Sequence, residues 1–198
     1  MKTKLAIFDL DGTLFDTREV NFLSYEIALR EEGYTLDRQF YESQCNGIHY
    51  KEYLPLIIDK PSKDLMERIH YRKKKLYPMF LSHAKANKHL IHLIRLIRSD
   101  YHIALVTTAS KSNCMSLLEH FNISSLFELI LTQEDVTNMK PDPEGFIKAI
   151  NYFGVTPENT LIFEDSDSGI EAAKKCSTSI LSVLDFSFHE YSTSDIIT

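Results

Sequence analysis

The chain has little cysteine. Cys45, Cys114 and Cys176 are its only three in 198 residues, far apart and with no Cys-x-x-Cys pair. That pattern speaks against a disulfide framework or a cysteine zinc site, and predicts reduced thiols in a cytoplasmic protein. No apolar run approaches membrane-spanning length, so no spanning helix and no membrane partner is expected. Met1-Lys2-Thr3-Lys4 leads straight into an apolar run, without the apolar stretch and small-residue cleavage site of a secretory leader. Basic residues are not in excess: 22 Lys and Arg stand against 28 Asp and Glu, a net charge of −6. The electrostatic footprint of a nucleic-acid binder is therefore missing. Internal repeats and low-complexity segments are absent as well. What is present is an ordinary globular composition, 43% hydrophobic and 25% charged. The length suffices for one sizeable core, or a core with a small inserted domain.

Five short apolar runs read as buried strands, at residues 4–8, 102–106, 128–132, 160–163 and 179–184. Helical patterns separate the later ones. Residues 88–98 are amphipathic, with basic residues late in the segment as the helix dipole favours. Residues 111–121 turn Leu117, Leu118 and Phe121 inward. Pro143 opens a helix carrying Phe146, Ile150 and Phe153, which Gly154 stops. A fourth helix runs from Ser168 to Cys176. Alternating strands and helices predict an α/β fold with a doubly wound parallel sheet. Residues 17–84 hold no convincing strand. Helical patterns at 17–32, 37–45, 48–58 and 62–82 predict a helical insertion, with hinges near Asp16-Thr17 and Ser82–Asn87. Emerging where it does, the insertion sits over the strand ends and can act as a lid. The domains are thus expected to be 1–16 with 85–198, and 17–84.

The chemistry lies in the residues just beyond each apolar run. The first run ends in Asp9 and Asp11, with Gly12-Thr13 beyond. The second ends in Thr107-Thr108-Ala109-Ser110, and the third leads through a loop to Lys140-Pro141-Asp142-Pro143. The fourth ends in Glu164-Asp165-Ser166. Each group alone has a bland reading: an Asx turn for Asp9-Leu10-Asp11-Gly12, helix caps for Thr107 and Ser110, a solvated loop lysine for Lys140, a helix start for Glu164-Asp165. In a parallel sheet, however, all four ends share one edge, where ligands of open α/β sheets bind. Several carboxylates in one place call for a cation, and hard oxygen ligands suit Mg²⁺. A lysine and hydroxyls facing the same place suit phosphate. Together they point to phosphoryl transfer through an aspartyl-phosphate.

Phe8-Asp9-Leu10-Asp11-Gly12-Thr13, Val106-Thr107-Thr108, Lys140-Pro141-Asp142-Pro143 and Phe163-Glu164-Asp165-Ser166-Asp167-Ser168-Gly169-Ile170 resemble, in order and spacing, the four motifs of the haloacid dehalogenase superfamily. The helical insertion is similar to the cap of its subgroup of beta-phosphoglucomutases and phosphoglycolate phosphatases. The resemblance implies a Rossmann-like core with an inserted α-helical cap. It implies Asp9 as nucleophile and Asp11 as the acid and base that serves the leaving oxygen and then water. Mg²⁺ would be held by Asp9, the carbonyl of Asp11 and Asp165, with Glu164 in the outer shell or as a further ligand. Thr107, the Thr108 backbone and Lys140 would bind the phosphoryl group.

Several positions depart from the family pattern. Ala86-Asn87 stands where relatives carry Pro-Gly, and the left-handed tolerance of Asn is expected to keep the turn. Cys176-Ser177 replaces a glycine. Asn21 replaces the histidine of beta-phosphoglucomutases, and His49, Tyr50 and Lys51 stand near Gly47-Ile48, where those enzymes place a phosphate-gripping arginine. Lys51 and the run Arg72-Lys73-Lys74-Lys75 read as solvated faces. The spacing of His83, His89 and His92 does not make a metal site. The tyrosines of residues 25–77 are expected to pack the cap, one or two of them lining the substrate pocket. The expected activity is Mg²⁺-dependent hydrolysis of a small phosphomonoester (a sugar, polyol or glycolate phosphate) by a monomer or small homo-oligomer. The alternatives are a sugar phosphomutase and a non-catalytic binding protein on the same fold.

Overall fold

The computed structural model describes residues 2–45 and 48–183. The chain opens with β1 (Lys4–Phe8) and a two-residue β2 (Phe15–Asp16). Helices α1 (Arg18–Glu31), α2 (Arg38–Gln44), α3 (Tyr50–Ile57) and α4 (Lys63–Leu76) follow, then a 3₁₀ segment, Tyr77–His83, and β3 (Lys85–Ala86). The remainder alternates: α5 (Lys88–Ile97), β4 (Tyr101–Val106), α6 (Lys111–His120), β5 (Leu129–Leu131), α7 (Glu144–Phe153), β6 (Thr160–Glu164), α8 (Asp167–Lys174) and β7 (Ser179–Ser182). One five-stranded sheet runs β5-β4-β1-β6-β7, with every pairing parallel. Residues Leu5 to Phe8 of its central strand are fully buried, as an apolar strand covered on both faces must be. Phe8 stacks on Phe163 of the neighbouring strand at 4.4 Å, which aligns the two strand ends that carry Asp9 and Glu164.

Two apolar layers cover the sheet. On one face Leu117, Leu118, Ile91 and Ile94 of α6 and α5 pack against Ala6, Phe8, Ile103 and Leu105. On the other, Phe146, Ala149, Ala172 and Ala173 of α7 and α8 pack against Leu5, Ile7, Ala104 and Ile162. Gly154 ends α7 at φ +63, the left-handed stop expected of it. The strand read at 179–184 is formed over Ser179–Ser182, and Leu184 lies outside the described residues.

Helices α1 to α4 form a separate cap with its own core. Tyr25, Tyr41 and Tyr53 meet edge-on at its centre, Tyr25–Tyr53 at 5.3 Å and Tyr41–Tyr53 at 6.1 Å. Asp37 and Ser62 cap α2 and α4 through the amides of Phe40 and Leu65. Bidentate pairs Arg68–Glu32 and Arg72–Glu31 tie α4 to the end of α1, but they are exposed and screened by solvent, so they contribute little.

Three local readings need correction. The helix expected over 62–82 stops at Leu76, and residues 77–83 tighten into a 3₁₀ turn, because Pro78 has no amide to continue the α-helical ladder. The hinges are a short antiparallel ribbon, Phe15 opposite Ala86 and Asp16 opposite Lys85, too brief to show in a hydrophobic pattern. Asn87 is not left-handed: at φ −73 it caps α5 through Leu90 N, while its Nδ2 donates to Thr13 O and its amide to Leu14 O. Side-chain bonding replaces the turn that Pro-Gly would make. Ser177, by contrast, does take the left-handed conformation (φ +56) at the place where relatives carry glycine.

His70 of α4 gives the cap a measurable acid sensitivity. Its Nδ1 pairs with the Tyr25 hydroxyl at 2.8 Å and its ring stacks on Tyr50 at 3.8 Å. Burial, with Lys73 and Lys74 nearby, lowers its pKa to about 3. A histidine with a depressed folded pKa loses stability as pH falls below its unfolded value near 6.5. Between pH 7 and pH 5 the loss should approach about 2 kcal/mol. Urea unfolding at both pH values should show that loss in the wild type and a smaller one in His70→Phe. An equal loss in both would contradict the assignment.

Candidate active site

Asp9 follows β1 directly, its amide held by Phe163 O at 3.0 Å, so its side chain leaves the sheet at the carboxyl edge. Lys140, from the loop after β5, fills the gap between two strand ends. Its ammonium donates to Asp9 Oδ1 and Glu164 Oε1, both at 2.5 Å, and to Val106 O at 3.1 Å. All three side chains are nearly sealed from solvent: Lys140 is 7% exposed, Asp9 9% and Glu164 0%. Burial raises the Asp9 carboxyl well above its ordinary range, against the pull of Lys140 and aided by repulsion from Glu164 and Asp165. Burial alone would lower the Lys140 ammonium, but its two carboxylate partners outweigh it and hold the lysine protonated.

Glu164 organises the turn from β6 into α8. Its Oε2 accepts from the amides of Asp165 and Ser166 at 2.8 and 2.9 Å and from the Ser166 hydroxyl at 3.0 Å. A carboxylate at a helix N-terminus is favoured by the exposed amides and the helix dipole. Gly169 makes room for it, since a Cβ there would lie 1.8 Å from Glu164 Oε1. Asp165 is held from the opposite side by the Thr13 hydroxyl at 2.8 Å, and burial raises its pKa to about 6. Gly12, at φ +90, lies so near Asp165 that a Cβ would approach its Oδ2 to 2.0 Å. Gly12 is therefore demanded by a carboxylate as well as by backbone geometry, and Gly169 by a carboxylate alone.

Asp11 turns toward the cap. Its Oδ1 accepts from the Thr17 hydroxyl, which in turn accepts from Asn21 Nδ2 at 3.1 Å. Burial raises the Asp11 pKa, with the Thr17 bond opposing. Thr17 stands at the N-cap of α1 yet leaves the helix amides without a side-chain cap, because its hydroxyl is given to Asp11. Thr107 is buried, its Oγ1 accepting from Ala109 N at 3.0 Å, and Thr108 beside it is exposed to the cavity.

Asp9, Asp11, Thr107, Thr108, Lys140 and Asp165 thus all line one cavity of about 710 Å³ between core and cap. Glu164 stands behind Lys140. The cap supplies Asn21, Tyr25, Tyr41, Tyr53, Lys73 and Tyr77 to the same cavity. Lys73 overturns the solvated reading of Arg72–Lys75. It is 7% exposed, its ammonium 5.2 Å from the Tyr25 ring and 4.8 Å from the Tyr77 ring. The packing of α4 on α1 buries this lysine of the run, with Lys74 beside it at the cavity, and burial lowers the Lys73 pKa to about 8. Lys51 does stay at the surface, 3.7 Å from Glu67, and of the neighbouring Gly47-Ile48 pair Gly47 lies outside the described residues. Sequence reasoning missed Thr17 and Lys73. Their signals were weak: a hydroxyl at a hinge, and one lysine four residues before a tyrosine.

The profile of the haloacid dehalogenase-like hydrolases matches residues 6–183. Over 176 residues the chain is 30% identical to a phosphorylated carbohydrates phosphatase of Thermotoga maritima, covering 85% of this chain and 79% of that one. It is 28% identical over 179 residues to a beta-phosphoglucomutase of Bacillus subtilis, covering 86% and 79%. In fold it is similar to CbbY of Rhodobacter sphaeroides, with a TM-score of 0.81 and 24% identity over 96% of this chain and 90% of that one. A parallel α/β core with a helical cap over its carboxyl edge is thus the architecture of a known class of hydrolases. The chain belongs to the haloacid dehalogenase-like hydrolases and, with its phosphatase relatives, is a phosphoric monoester hydrolase.

Removing Lys140 should expose how the buried charges depend on each other. Lys140→Met leaves Asp9 and Glu164 without their cation and should destabilise the fold by roughly 3–5 kcal/mol. Adding Glu164→Gln should recover part of that loss, measured as a coupling energy in a double-mutant cycle of denaturant unfolding. Strictly additive effects would contradict a shared charge cluster.

Proposed function

We propose that this protein hydrolyses the phosphomonoester of a small sugar or polyol through a phosphorylated Asp9, with Mg²⁺ as its metal. The reading rests above all on Asp9 held in the cavity wall by Lys140, with a second carboxyl, Asp11, two residues on. A nucleophile attacking an already anionic phosphate needs its own charge and that of the phosphoryl group offset, and phosphomonoester hydrolysis demands acceleration of up to about 10²¹-fold.

The donor set fits Mg²⁺. Lys140 pairs with Asp9 and Glu164, and Asp165 adds a third carboxyl group beyond its reach, so the cluster holds more acidic groups than its one ammonium balances. An acidic cluster of this kind suits Mg²⁺, which takes one or two carboxylates and completes its shell with water and substrate phosphate. Asp9, Asp165 and the Asp11 carbonyl would hold it, with Glu164 committed to Lys140 and the β6–α8 turn. Bound there, Mg²⁺ supplies charge neutralisation at the phosphoryl oxygens.

The residues then divide the work. An Asp9 carboxylate oxygen attacks phosphorus as the ester oxygen departs, and Asp11 gives that oxygen its proton. Asp11 next takes a proton from water, whose oxygen attacks the phosphorus of the acyl phosphate and frees Asp9 and inorganic phosphate. Lys140 offsets the charge of Asp9 and the phosphoryl group. Thr107 and the Thr108 amide bind the remaining phosphoryl oxygens. The phosphomutase alternative would need a second phosphate clamp in the cap. The positions considered for it are engaged elsewhere, Asn21 with Thr17 and Lys51 with Glu67. We also assign the protein to a reducing cytoplasm and to action as a monomer or small homo-oligomer on a small phosphorylated metabolite. Three unpaired, buried cysteines support the compartment.

A phosphate-release screen over small phosphorylated metabolites with Mg²⁺ tests the reading. Asp9→Asn should lower turnover by at least about 10³-fold, and near-wild-type release would sink the assignment. Asp11→Asn should slow alkyl phosphates far more than aryl phosphates with good leaving groups, since only poor leaving groups need the proton. Equal losses on both would remove Asp11 from the acid role.

A further inference from the structure

Lys140 is carried by a stretch without helix or strand, running from Val136 to Pro143 between β5 and α7. A long side chain on such a stretch meets two buried carboxylates only if the backbone beneath it is held, so the partners of that backbone matter. Two amides just before Lys140 are held by one side chain. Glu144, the first residue of α7, accepts from Thr137 N at 2.9 Å through Oε1 and from Asn138 N at 2.8 Å through Oε2. Asn138 Nδ2 donates to the same Oε2 at 3.3 Å. Lys148, one turn along α7, pairs with Glu144 Oε1 at 2.6 Å and donates to Asp135 O at 2.8 Å. On the far side of Lys140 the Glu144 amide donates to Asp142 Oδ1 at 2.9 Å, and the Asp142 amide to Met139 O at 3.0 Å.

A carboxylate in the first turn of a helix commonly serves that helix, whose free amides and dipole favour it. Glu144 instead turns both oxygens back to amides seven and six residues earlier, so these bonds serve the loop. The helix it stands on is a firm base. Phe146, 1% exposed, packs against the sheet, and Gly145 lies so near the end of β4 that a Cβ would approach Val106 Cγ1 to 2.9 Å. The Phe146 ring lies 5.0 Å from the Lys140 ammonium, which also donates to Val106 O. Resting on the role of Lys140 in the proposed hydrolysis, we infer that Glu144, braced by Lys148, is a positioning residue of the reaction. It pins the loop to α7 and so sets the Lys140 ammonium against Asp9 and the transferring phosphoryl group. Neither Glu144 nor Lys148 lines the cavity, so both act through Lys140 and touch no reacting atom. Lys148 and the two loop amides hold the Glu144 pKa down at about 2, which keeps it an acceptor at neutral pH.

The test measures kcat and KM for p-nitrophenyl phosphate with Mg²⁺ in wild type, Glu144→Gln and Glu144→Ala. The leaving group of this ester needs no proton, so the rate reports the Asp9 and Lys140 end of the reaction. In the same three proteins, acetylation of Lys140 and Lys73 is followed by peptide mapping. Lys73 is the control: it lies in the cap and is 7% exposed, as is the Lys140 side chain. Glu144→Ala should lower kcat by about ten- to a hundredfold and change KM by less than about twofold. Acetylation of Lys140 should rise at least about tenfold while Lys73 keeps its wild-type protection, because only the loop is released. Glu144→Gln keeps one oxygen for one amide and should fall between the two, and it carries the test by itself should the alanine variant fail to fold. An unchanged kcat overturns this inference alone. So does a lower kcat with Lys140 as protected as in the wild type, or with Lys73 exposed alongside it, since that marks general loosening. A wild type that releases no phosphate from the ester overturns the hydrolysis reading, and this role with it.

Discussion

A buried ammonium between two buried carboxylates governs this molecule. Lys140 reaches Asp9 and Glu164 from the loop after β5, and donates a third hydrogen bond to the carbonyl of Val106. A charge sealed from water must be paired or it is expelled. The pairing therefore fixes where the loop after β5 lies against the ends of β1, β4 and β6. It also leaves an imbalance of charge, since Asp165 adds a further carboxylate that Lys140 does not touch. Stability and chemistry share one cause here: the excess negative charge that strains the cluster is also what a cation and an electrophilic phosphate would meet.

The cap is coupled to this cluster by few, specific bonds. Thr17 gives its hydroxyl to Asp11 and leaves α1 uncapped, forgoing about 1 kcal/mol of helix stabilisation. Asn87 straps the other hinge strand to Thr13 and Leu14 and caps α5 with the same side chain. The two-stranded ribbon of β2 and β3 carries no further secondary structure across the junction. Thr17 thus links the start of α1 directly to Asp11. The cavity wall that the cap contributes is aromatic and largely uncharged, apart from the cations of Lys73 and Lys74, the carboxylate of Glu52 and the outer Arg18. In the proposed reaction the core carries the phosphoryl chemistry, and the cap presents the surface that a leaving group must fit.

The parallel sheet was legible because its strands are short, continuous and apolar, and because each ends in residues that an apolar strand has no reason to carry. Asp9, Lys140 and Glu164-Asp165 could be assigned to one edge on that basis alone. The register of side chains within the edge could not. Nothing in the order of residues says that Glu164 turns back onto Lys140 while Asp165 turns out to Thr13, because that choice is made by the room left at Gly169 and Gly12. Lys73 escaped for a related reason. A basic run on a helix reads as solvated, and only the packing of α4 against α1 shows which of its lysines faces inward. Pro78 and Asn87 carried visible local signals whose outcome depended on partners far away in sequence.

The central claim is that the phosphoryl group passes through Asp9. Acid quenching during turnover of a ³²P-labelled sugar phosphate, followed by peptide mapping, tests it most directly. The account predicts label on the peptide carrying Asp9, discharged by hydroxylamine as an acyl phosphate should be, and absent from Asp9→Asn. Steady turnover with no covalent label, or label on any other residue, would contradict it.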